Sequence, residues 1–314
     1  MDVNSIIQSK LANILNSAQL PARGIVNERP TIGIITQVKK NEDYNYIMAA
    51  YVKFVEQSGS RVVPINPADS DEHILDLMSK INGVIYPGGG TPLIDEDGLT
   101  EYSKKGKLIL DKAKEMNDEG IHFPVWAICL GIQEVALIEA PYQDVLLSGY
   151  FDSYNYANNV TFVSNLAKSK MFSHMPQHLI NALKKENITF NSHHDGVVPQ
   201  TFEKYDSLKE YNVLAVSYDN DGVEYVASIE HKRYPIFAHQ YHPEKNAFIW
   251  KESLVVPHTQ NAIELQQYYA NFFIGEAKKN TNKFDSEEEL ISLLVENASV
   301  LFTTGESQDI YVFE

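Results

Sequence analysis

The single cysteine of this 314-residue chain lies where a catalytic nucleophile would be expected. Cys129 follows a short apolar run, with Ala127 two residues before it and Gly131 two residues after it. This pattern predicts a sharp turn from a strand into a helix, which would push the side chain out at the edge of a sheet. The N-terminus of that helix would favour the thiolate, which is the reactive form of cysteine. The alternative is a buried cysteine that acts only as a small hydrophobic residue.

A base for this nucleophile is found in the segment His242-Pro243-Glu244-Lys245, which follows the apolar run 234–241. At a strand end, His242 would reach the same edge of the sheet as the cysteine, and Glu244 could turn back to orient the imidazole. The alternative is a loop histidine beside a surface acid. The presence of both motifs in one chain favours a catalytic Cys–His–Glu set.

Acyl transfer also needs hydrogen-bond donors for the oxyanion of its tetrahedral intermediate. The backbone N–H of Leu130 is one candidate, and Gly88 and Gly89 in the Pro-Gly-Gly-Gly segment 87–90 are others. Glycines after a strand let main-chain amides face a ligand. A tight turn is the alternative. The spacing does not match G-x-G-x-x-G, so no dinucleotide site is expected.

The first half of the chain alternates strand and helix patterns, and the second half contains closely spaced strands. The predicted early strands are 31–36, 61–66, 83–86 and the cysteine strand, with helices at 45–59, from Ser70 and near 101–118. The predicted late elements are strands at 213–219, 224–231, 234–241 and 309–313, and helices from Thr259 and Ser286. This order predicts an α/β fold: a mostly parallel sheet covered on both faces, with an antiparallel extension. We expect an N-terminal extension, 1–29, and a single domain, 30–314.

The overall charge restricts the partners of the protein. The net charge is −16 and the pI is about 5.0, which argues against nucleic acid and against an anionic membrane surface as partners. An acidic substrate would therefore need local positive charge in the site. One cysteine excludes an internal disulfide, and no run reaches the roughly 18 apolar residues of a membrane span.

Three stretches, taken in order, resemble the class I glutamine amidotransferase superfamily: Tyr-Pro-Gly-Gly-Gly (86–90), Pro-Val-Trp-Ala-Ile-Cys-Leu-Gly-Ile-Gln-Glu (124–134) and Gln-Tyr-His-Pro-Glu-Lys (240–245). Within that superfamily the chain resembles the γ-glutamyl hydrolases, from about Arg29 to the C-terminus. The resemblance implies a flavodoxin-like amidotransferase fold and hydrolysis of γ-linked glutamate from folylpoly-γ-glutamates. It implies neither a metal nor a cofactor.

The resemblance also implies roles for individual residues. Cys129 would be the nucleophile, His242 its general base and acid, and Glu244 the orienting group. His193 falls where the family has a further active-site histidine, with His194 as a competitor for that role. Gln133 takes the place of a carboxylate found in some members. Lys245, His193 and His194 are the expected cations for a polyanionic substrate, with binding strengthened as the histidines gain charge at acid pH.

Two other functions stay open at this point. The chain could be a glutaminase or a hydrolase of small γ-glutamyl amides, or a non-catalytic binding protein on the same scaffold. By resemblance we expect a lysosomal, vacuolar or secreted glycoprotein with sequons at Asn159, Asn187 and Asn297. The first thirty residues show no apolar signal-peptide core, so a cytoplasmic location stays open, as does a homodimer.

Overall fold

The structure, a computed structural model, describes residues 27–38 and 42–313. The predicted N-terminal extension lies outside these residues, apart from 27–29. The strands are, in chain order, β1 (Thr31–Ile35), β2 (Gln37–Val38), β3 (Asn45–Met48), β4 (Arg61–Ile65), β5 (Gly83–Tyr86), β6 (Ile94–Asp95), β7 (Gly98–Leu99), β8 (Val125–Ile128), β9 (Ser153–Asn158), β10 (Thr161–Phe162), β11 (Thr189–His193), β12 (Tyr211–Tyr218), β13 (Glu224–His231), β14 (Ile236–His239), β15 (Ser299–Phe302) and β16 (Asp309–Phe313).

The α-helices lie between these strands and after them. They are α1 (Ala49–Glu56), α2 (Asp71–Lys80), α3 (Glu101–Asp118), α4 (Leu130–Glu139), α5 (Gln177–Lys185), α6 (Pro199–Lys204), α7 (Gln260–Ala277) and α8 (Glu287–Leu293). Short 3₁₀ turns are found at Leu166–Lys168, Leu208–Glu210, Pro243–Lys245 and Val295–Asn297.

An eight-stranded sheet in the order β10-β12-β13-β14-β8-β5-β1-β4 forms the centre of the described residues. The five strands from β14 to β4 are parallel to their neighbours. The strands β10, β12, β13 and β14 pair antiparallel. The predicted parallel sheet with an antiparallel extension is therefore confirmed.

The central strands are apolar along their whole length because helices cover both faces of the sheet. In β8, Val125 and Ala127 belong to the core under α2, α3 and α4, whereas Trp126 and Ile128 belong to the core under α1, α5 and α7. This alternation follows from the two-residue repeat of a strand. All four side chains are fully buried.

Polar caps fix the starts of four helices. The side chains of Ser70, Thr100, Thr259 and Ser286 each accept a hydrogen bond from the backbone N–H three residues on. These are the N-cap contacts that satisfy an otherwise unpaired helix donor. The predicted helix starts at Ser70, Thr259 and Ser286 are confirmed.

One predicted helix was wrong in its first turn. The segment 45–59 forms β3 followed by α1, because residues 45–48 pair with the C-terminal strand β16 (Ile47 opposite Tyr311). This pairing places β15, β16, β3 and β2 in one four-stranded sheet. Local periodicity could not reveal a partner so distant in sequence.

Of the helices described, none is long and apolar enough to cross a membrane.

Candidate active site

Three of the predicted site segments follow parallel strands of the central sheet at one edge, and a fourth comes from β11, which pairs with β9 in a separate two-stranded sheet. Cys129 follows β8, the glycine segment 87–90 follows β5, His242 lies three residues beyond β14, and His193 ends β11. The carboxyl ends of parallel strands share one edge, which is where open α/β sheets bind ligands. The fold therefore brings together residues that are more than a hundred positions apart.

Cys129 has the backbone of a nucleophile elbow. Its φ is 53° and its ψ is −105°, a conformation that non-glycine residues rarely adopt. It is the N-cap of α4, and its backbone N–H donates to the His239 carbonyl at 2.8 Å. A side chain at Gly131 would overlap the Tyr86 carbonyl, so a glycine is needed for α4 to pack this close to β5. The predicted turn from strand to helix is confirmed.

The His242 imidazole is held on one side by two buried groups. Its Nδ1 lies 2.8 Å from Glu244 Oε1 and 3.5 Å from the Tyr51 hydroxyl. Nε2 is then the nitrogen that can exchange a proton with the Cys129 sulfur, and the interaction with Cys129 raises the pKa of His242. Glu244 is fully buried. This geometry is that of a base whose tautomer and orientation are fixed by a third group.

The charges around His242 favour its protonated form. Burial and the Lys245 charge lower the pKa of His242, but the Glu244 carboxylate and Cys129 raise it by a larger amount. The resulting pKa is about 9. An imidazolium beside a cysteine sulfur can stabilise the thiolate and later donate its proton to a leaving amine. The arrangement can therefore perform nucleophilic attack and general acid catalysis at neutral pH.

The glycine segment contributes fewer oxyanion donors than the sequence predicted. The Gly88 N–H donates to the Tyr51 hydroxyl at 2.8 Å, so it is already committed. The expectation for Gly88 is corrected: its role is steric, because an added Cβ would lie 2.8 Å from His242 Cε1 and 3.1 Å from Cys129 Cβ. The N–H groups of Gly89 and Leu130 have no acceptor in the described part of the chain. Both residues line the same cavity as Cys129.

This cavity has a volume of about 510 Å³. Its lining comes from the glycine segment, the start of α4, the end of β11 and Tyr154 of β9. No lysine or arginine lines it among the described residues. The local positive charge predicted for an acidic substrate is thus missing from the described cavity wall.

His193 and Gln133 both line the cavity, but neither has the predicted chemistry of a cation site. Burial lowers the pKa of His193 to about 3, so the ring is neutral at mildly acid pH, which corrects the expectation that it gains charge there. Its Nδ1 lies 2.9 Å from the Asp195 carbonyl, which leaves Nε2 as a buried hydrogen-bond acceptor without a partner among the described residues. Gln133 donates to the same carbonyl at 2.8 Å.

Lys245 and His194 also differ from the prediction. Lys245 is 2% exposed, does not line the cavity, and pairs with Glu306 at 3.1 Å. Its ammonium is therefore neutralised by the protein itself rather than presented to solvent. His194 lines the cavity edge, where its ring stacks on Tyr154 and its Nδ1 lies 2.9 Å from the Phe151 carbonyl.

Two residues of the site, Tyr51 and Gln37, carry no signal in the sequence that would have pointed to them. Tyr51 lies within the predicted helix 45–59 with nothing to mark it as a site residue, and its hydroxyl joins Gly88 to His242. Gln37 packs against Gly89, where an added Cβ would overlap its side chain, and it bonds to Thr91 and Tyr102. Neither residue lies in a recognisable motif.

Glu134 does not line the cavity, but its surroundings are unusual. It is fully buried in α4 against Gly106, and neither carboxyl oxygen has a hydrogen-bond partner in the described chain. Burial raises its pKa well above the ordinary value of a glutamate, so its carboxyl keeps a proton that an exposed one would lose.

Across the described residues, no group of histidine, cysteine, aspartate and glutamate is arranged to hold a metal ion.

Comparison with known proteins finds relatives that match nearly the whole chain. The Peptidase C26 family model matches residues 30–244. The chain is 38% identical over 298 residues to γ-glutamyl hydrolase B of Dictyostelium discoideum, covering 92% of this chain and 84% of that protein. It is 36% identical over 296 residues to γ-glutamyl hydrolase of Mus musculus, covering 92% and 90%.

A solved structure has the same fold at low identity. It is that of a GMP synthase component from Thermoplasma acidophilum, with a TM-score of 0.50 and 17% identity, covering 79% of this chain and 94% of that one. The expected amidotransferase-like fold is thereby confirmed.

Proposed function

We propose that this chain, which belongs to the γ-glutamyl hydrolases of the Peptidase C26 family, removes γ-linked glutamate from folylpoly-γ-glutamates through a thioester on Cys129. Hydrolysis of γ-glutamyl bonds by a cysteine-type enzyme follows from family membership. The folate substrate and the residue roles are the proposal. The observation that carries it is the Cys129–His242–Glu244 set, whose cysteine lines a cavity of about 510 Å³.

In the first half-reaction, the Cys129 sulfur attacks the γ-carbonyl carbon and the carbonyl π electrons move onto oxygen. The resulting oxyanion accepts hydrogen bonds from the free N–H groups of Gly89 and Leu130. When the C–O double bond reforms, the C–N bond breaks and His242 gives its proton to the leaving amine. The product is a γ-glutamyl thioester and a shortened glutamate chain with a free amino group.

In the second half-reaction, water attacks the thioester carbon while His242 takes one of its protons. The tetrahedral intermediate uses the same two N–H donors, and its collapse expels the sulfur of Cys129. The γ-carboxylate leaves and the Cys–His pair is restored. Glu244 and Tyr51 keep Nδ1 of His242 turned away from the sulfur throughout, so Nε2 carries the proton in both directions.

His193 and Gln133 are proposed to recognise the substrate without charge. The unpartnered Nε2 of His193 can accept a hydrogen bond from an amide or amino group in the cavity. Gln133 fixes the loop that orients this ring, because it binds the same Asp195 carbonyl. Recognition by neutral acceptors and backbone donors suits a cavity whose described wall holds no lysine or arginine.

The experiment is a product analysis with two substrates. The protein is incubated with pteroylpentaglutamate and with glutamine, and chromatography identifies the products, with Cys129→Ser as the matched control. We expect shortened pteroylglutamates and free glutamate or oligoglutamate, with little ammonia from glutamine. Ammonia release alone would favour the glutaminase alternative, and no turnover of either substrate would favour a binding protein. Product lengths also distinguish endo from exo cleavage.

We further propose that the enzyme acts in a lysosome, a vacuole or the extracellular space. In support, two of the three sequon asparagines, Asn187 and Asn297, are exposed on the surface and accessible to a glycosyltransferase. Treatment of the native protein with an N-glycosidase should increase its electrophoretic mobility. An unchanged mobility together with a cytoplasmic fractionation pattern would reject this location. Light scattering of the purified protein tests the homodimer.

A further inference from the structure

The C-terminal hairpin places a carboxylate at the edge of the catalytic cavity. Glu306 lies between β15 and β16, outside the residues matched by the family model. Both of its carboxylate oxygens accept from Ser192 Oγ, at 2.9 and 3.0 Å, and one is 3.1 Å from Lys245 Nζ. Tyr154 also interacts with Glu306, and this interaction raises the pKa of the tyrosine. Two hydroxyls and one ammonium group therefore surround this carboxylate.

The groups that hold Glu306 are shared with the cavity. Ser192 and Tyr154 line the same space as Cys129, whereas Lys245 lies behind them and is 2% exposed. Lys245 lies only three residues after the catalytic His242. Its ammonium group is nevertheless covered by the Glu306 carboxylate. Withdrawal of Glu306 would leave Lys245 and the two hydroxyls without the carboxylate that they share.

β16 is held by its pairing with β3 and by the buried Ile310, but the first strand of the hairpin and the turn that carries Glu306 have little apolar packing. Every residue of β15 is exposed, and Phe302 is 87% exposed. The turn is tethered by polar contacts at the surface, among them Lys251 to the Gly305 carbonyl at 3.1 Å and the Trp250 N–H to Gln308 at 2.8 Å. Segments with few buried apolar contacts open at low free-energy cost.

We propose that Ser192, Tyr154 and Lys245 form a subsite for an α-carboxylate of the γ-linked glutamate tail, and that Glu306 occupies this subsite until substrate displaces it. The inference rests on the proposed function, since a γ-linked tail carries one free α-carboxylate per residue. It supplies the positive charge that the cavity wall lacks. The side chain of Glu306 ends in the same group as the ligand, so the contacts are satisfied both before and after binding.

Displacement of Glu306 lowers the apparent affinity for the tail, because only the fraction of molecules with an open subsite can bind. Removing the glutamate should therefore strengthen binding. A glutamate that only neutralises Lys245 as a fixed structural contact predicts the opposite, since its loss would leave a buried charge unpaired and weaken the site.

The test measures KM and kcat for pteroyldiglutamate and pteroylpentaglutamate with wild type, Glu306→Ala and Glu306→Gln. We expect KM for the pentaglutamate to fall about threefold to tenfold in Glu306→Ala, with kcat nearly unchanged. Asp309→Ala is the matched control, because it removes the hairpin's ion pair with Lys53 without touching the subsite. In the Glu306→Ala background, Lys245→Met should raise KM again.

A KM that is unchanged or higher in both Glu306 variants, with Asp309→Ala like wild type, overturns the subsite. If Glu306→Ala does not fold, Ser192→Ala decides: a raised KM at unchanged thermal stability supports the subsite, and an unchanged KM rejects it. Failure of the proposed function is a different result, because wild type itself would then release no glutamate from either folate substrate.

Discussion

Gln133 and His193 are joined through one atom, the carbonyl oxygen of Asp195. Gln133 Nε2 lies 2.8 Å from this oxygen and His193 Nδ1 lies 2.9 Å from it. The contact fixes the proton of the imidazole on Nδ1, because a carbonyl oxygen can only accept. It also ties the first turn of α4, which begins next to Cys129, to the end of β11. The orientation of the substrate-facing histidine is thus coupled to the helix that carries the nucleophile.

The strongest prediction concerns the nucleophile. Cys129→Ala should lower kcat by at least about 10⁴-fold, since it removes the covalent step, and Cys129→Ser should be similarly inactive. The thermal unfolding midpoint should stay near that of wild type, because the small side chain lies at the cavity floor. Release of glutamate from pteroylpentaglutamate measures the rate. Retention of more than a tenth of the activity would falsify the thioester mechanism.

Substitution of His242 should lower kcat more than substitution of Glu244. His242→Asn should be nearly as damaging as loss of the cysteine, because proton transfer in both half-reactions is lost. Glu244→Gln should cost about 10- to 100-fold in kcat, since a neutral amide still contacts Nδ1 but orients it less well. Steady-state kinetics of the two purified variants ranks them. A glutamate variant more impaired than the histidine variant reverses the assigned roles.

The pH profile follows from the charge on His242. With a pKa of about 9, the imidazolium that protonates the leaving amine is present at neutral pH and is lost as the pH rises through 9. The value of kcat/KM should therefore fall above about pH 9. Glu244 raises this pKa, so Glu244→Gln should move the basic limb to lower pH. A profile flat to pH 10, or a limb that moves upward in the variant, contradicts the assignment.

Two glycines of one loop provide a matched pair. Gly88→Ala would place a Cβ 2.6 Å from the Tyr51 hydroxyl and 2.8 Å from His242 Cε1, whereas nothing lies within 4 Å of a Cβ at Gly90. We expect about a hundredfold loss of kcat/KM for Gly88→Ala, because displacement of the imidazole spoils the attack geometry. Gly90→Ala should retain activity within about twofold. Equal effects of the two substitutions would remove the steric role assigned to Gly88.

Recognition through His193 should not depend on acid pH. Because its pKa is about 3, the ring is neutral from pH 5 to 7.5, so its titration cannot strengthen binding in that range. His193→Gln keeps a neutral acceptor and should leave the shape of the KM profile against pH unchanged, with only the absolute KM raised. If wild type binds more tightly at pH 5 and the variant loses that dependence, the histidine is charged in the complex.

The nucleophile, its base and the glycine loop could be found from the sequence because each lies in a short local pattern. Cys129 follows a strand and precedes a helix, and Glu244 lies two residues from the histidine it orients. The parallel sheet followed from the alternation of strands and helices, whose periods are visible without any partner.

The rest of the site could not be found in this way, because it depends on contacts between distant segments. In the sequence Tyr51 is one more apolar residue of α1, and only the packed structure brings its hydroxyl to His242, 191 residues away. The carboxylate that pairs with the Lys245 ammonium group belongs to Glu306, which lies 61 residues further on. Burial decided the charge of His193, and burial is a property of the whole fold rather than of neighbouring residues.

The buried Glu134 makes the stability of the whole fold depend on acidity. In the unfolded chain this carboxyl ionises near its ordinary pKa of about 4.5, whereas burial raises the pKa well above that in the folded chain. Between these two values the folded form binds one more proton, so unfolding becomes easier by up to about 1.4 kcal/mol for each unit of rising pH. Considered for this residue alone, the protein is hardest to unfold below about pH 4.5 and loses resistance to heat toward neutrality. A side chain with no part in the chemistry thus contributes most to the resistance of the fold to unfolding in acid.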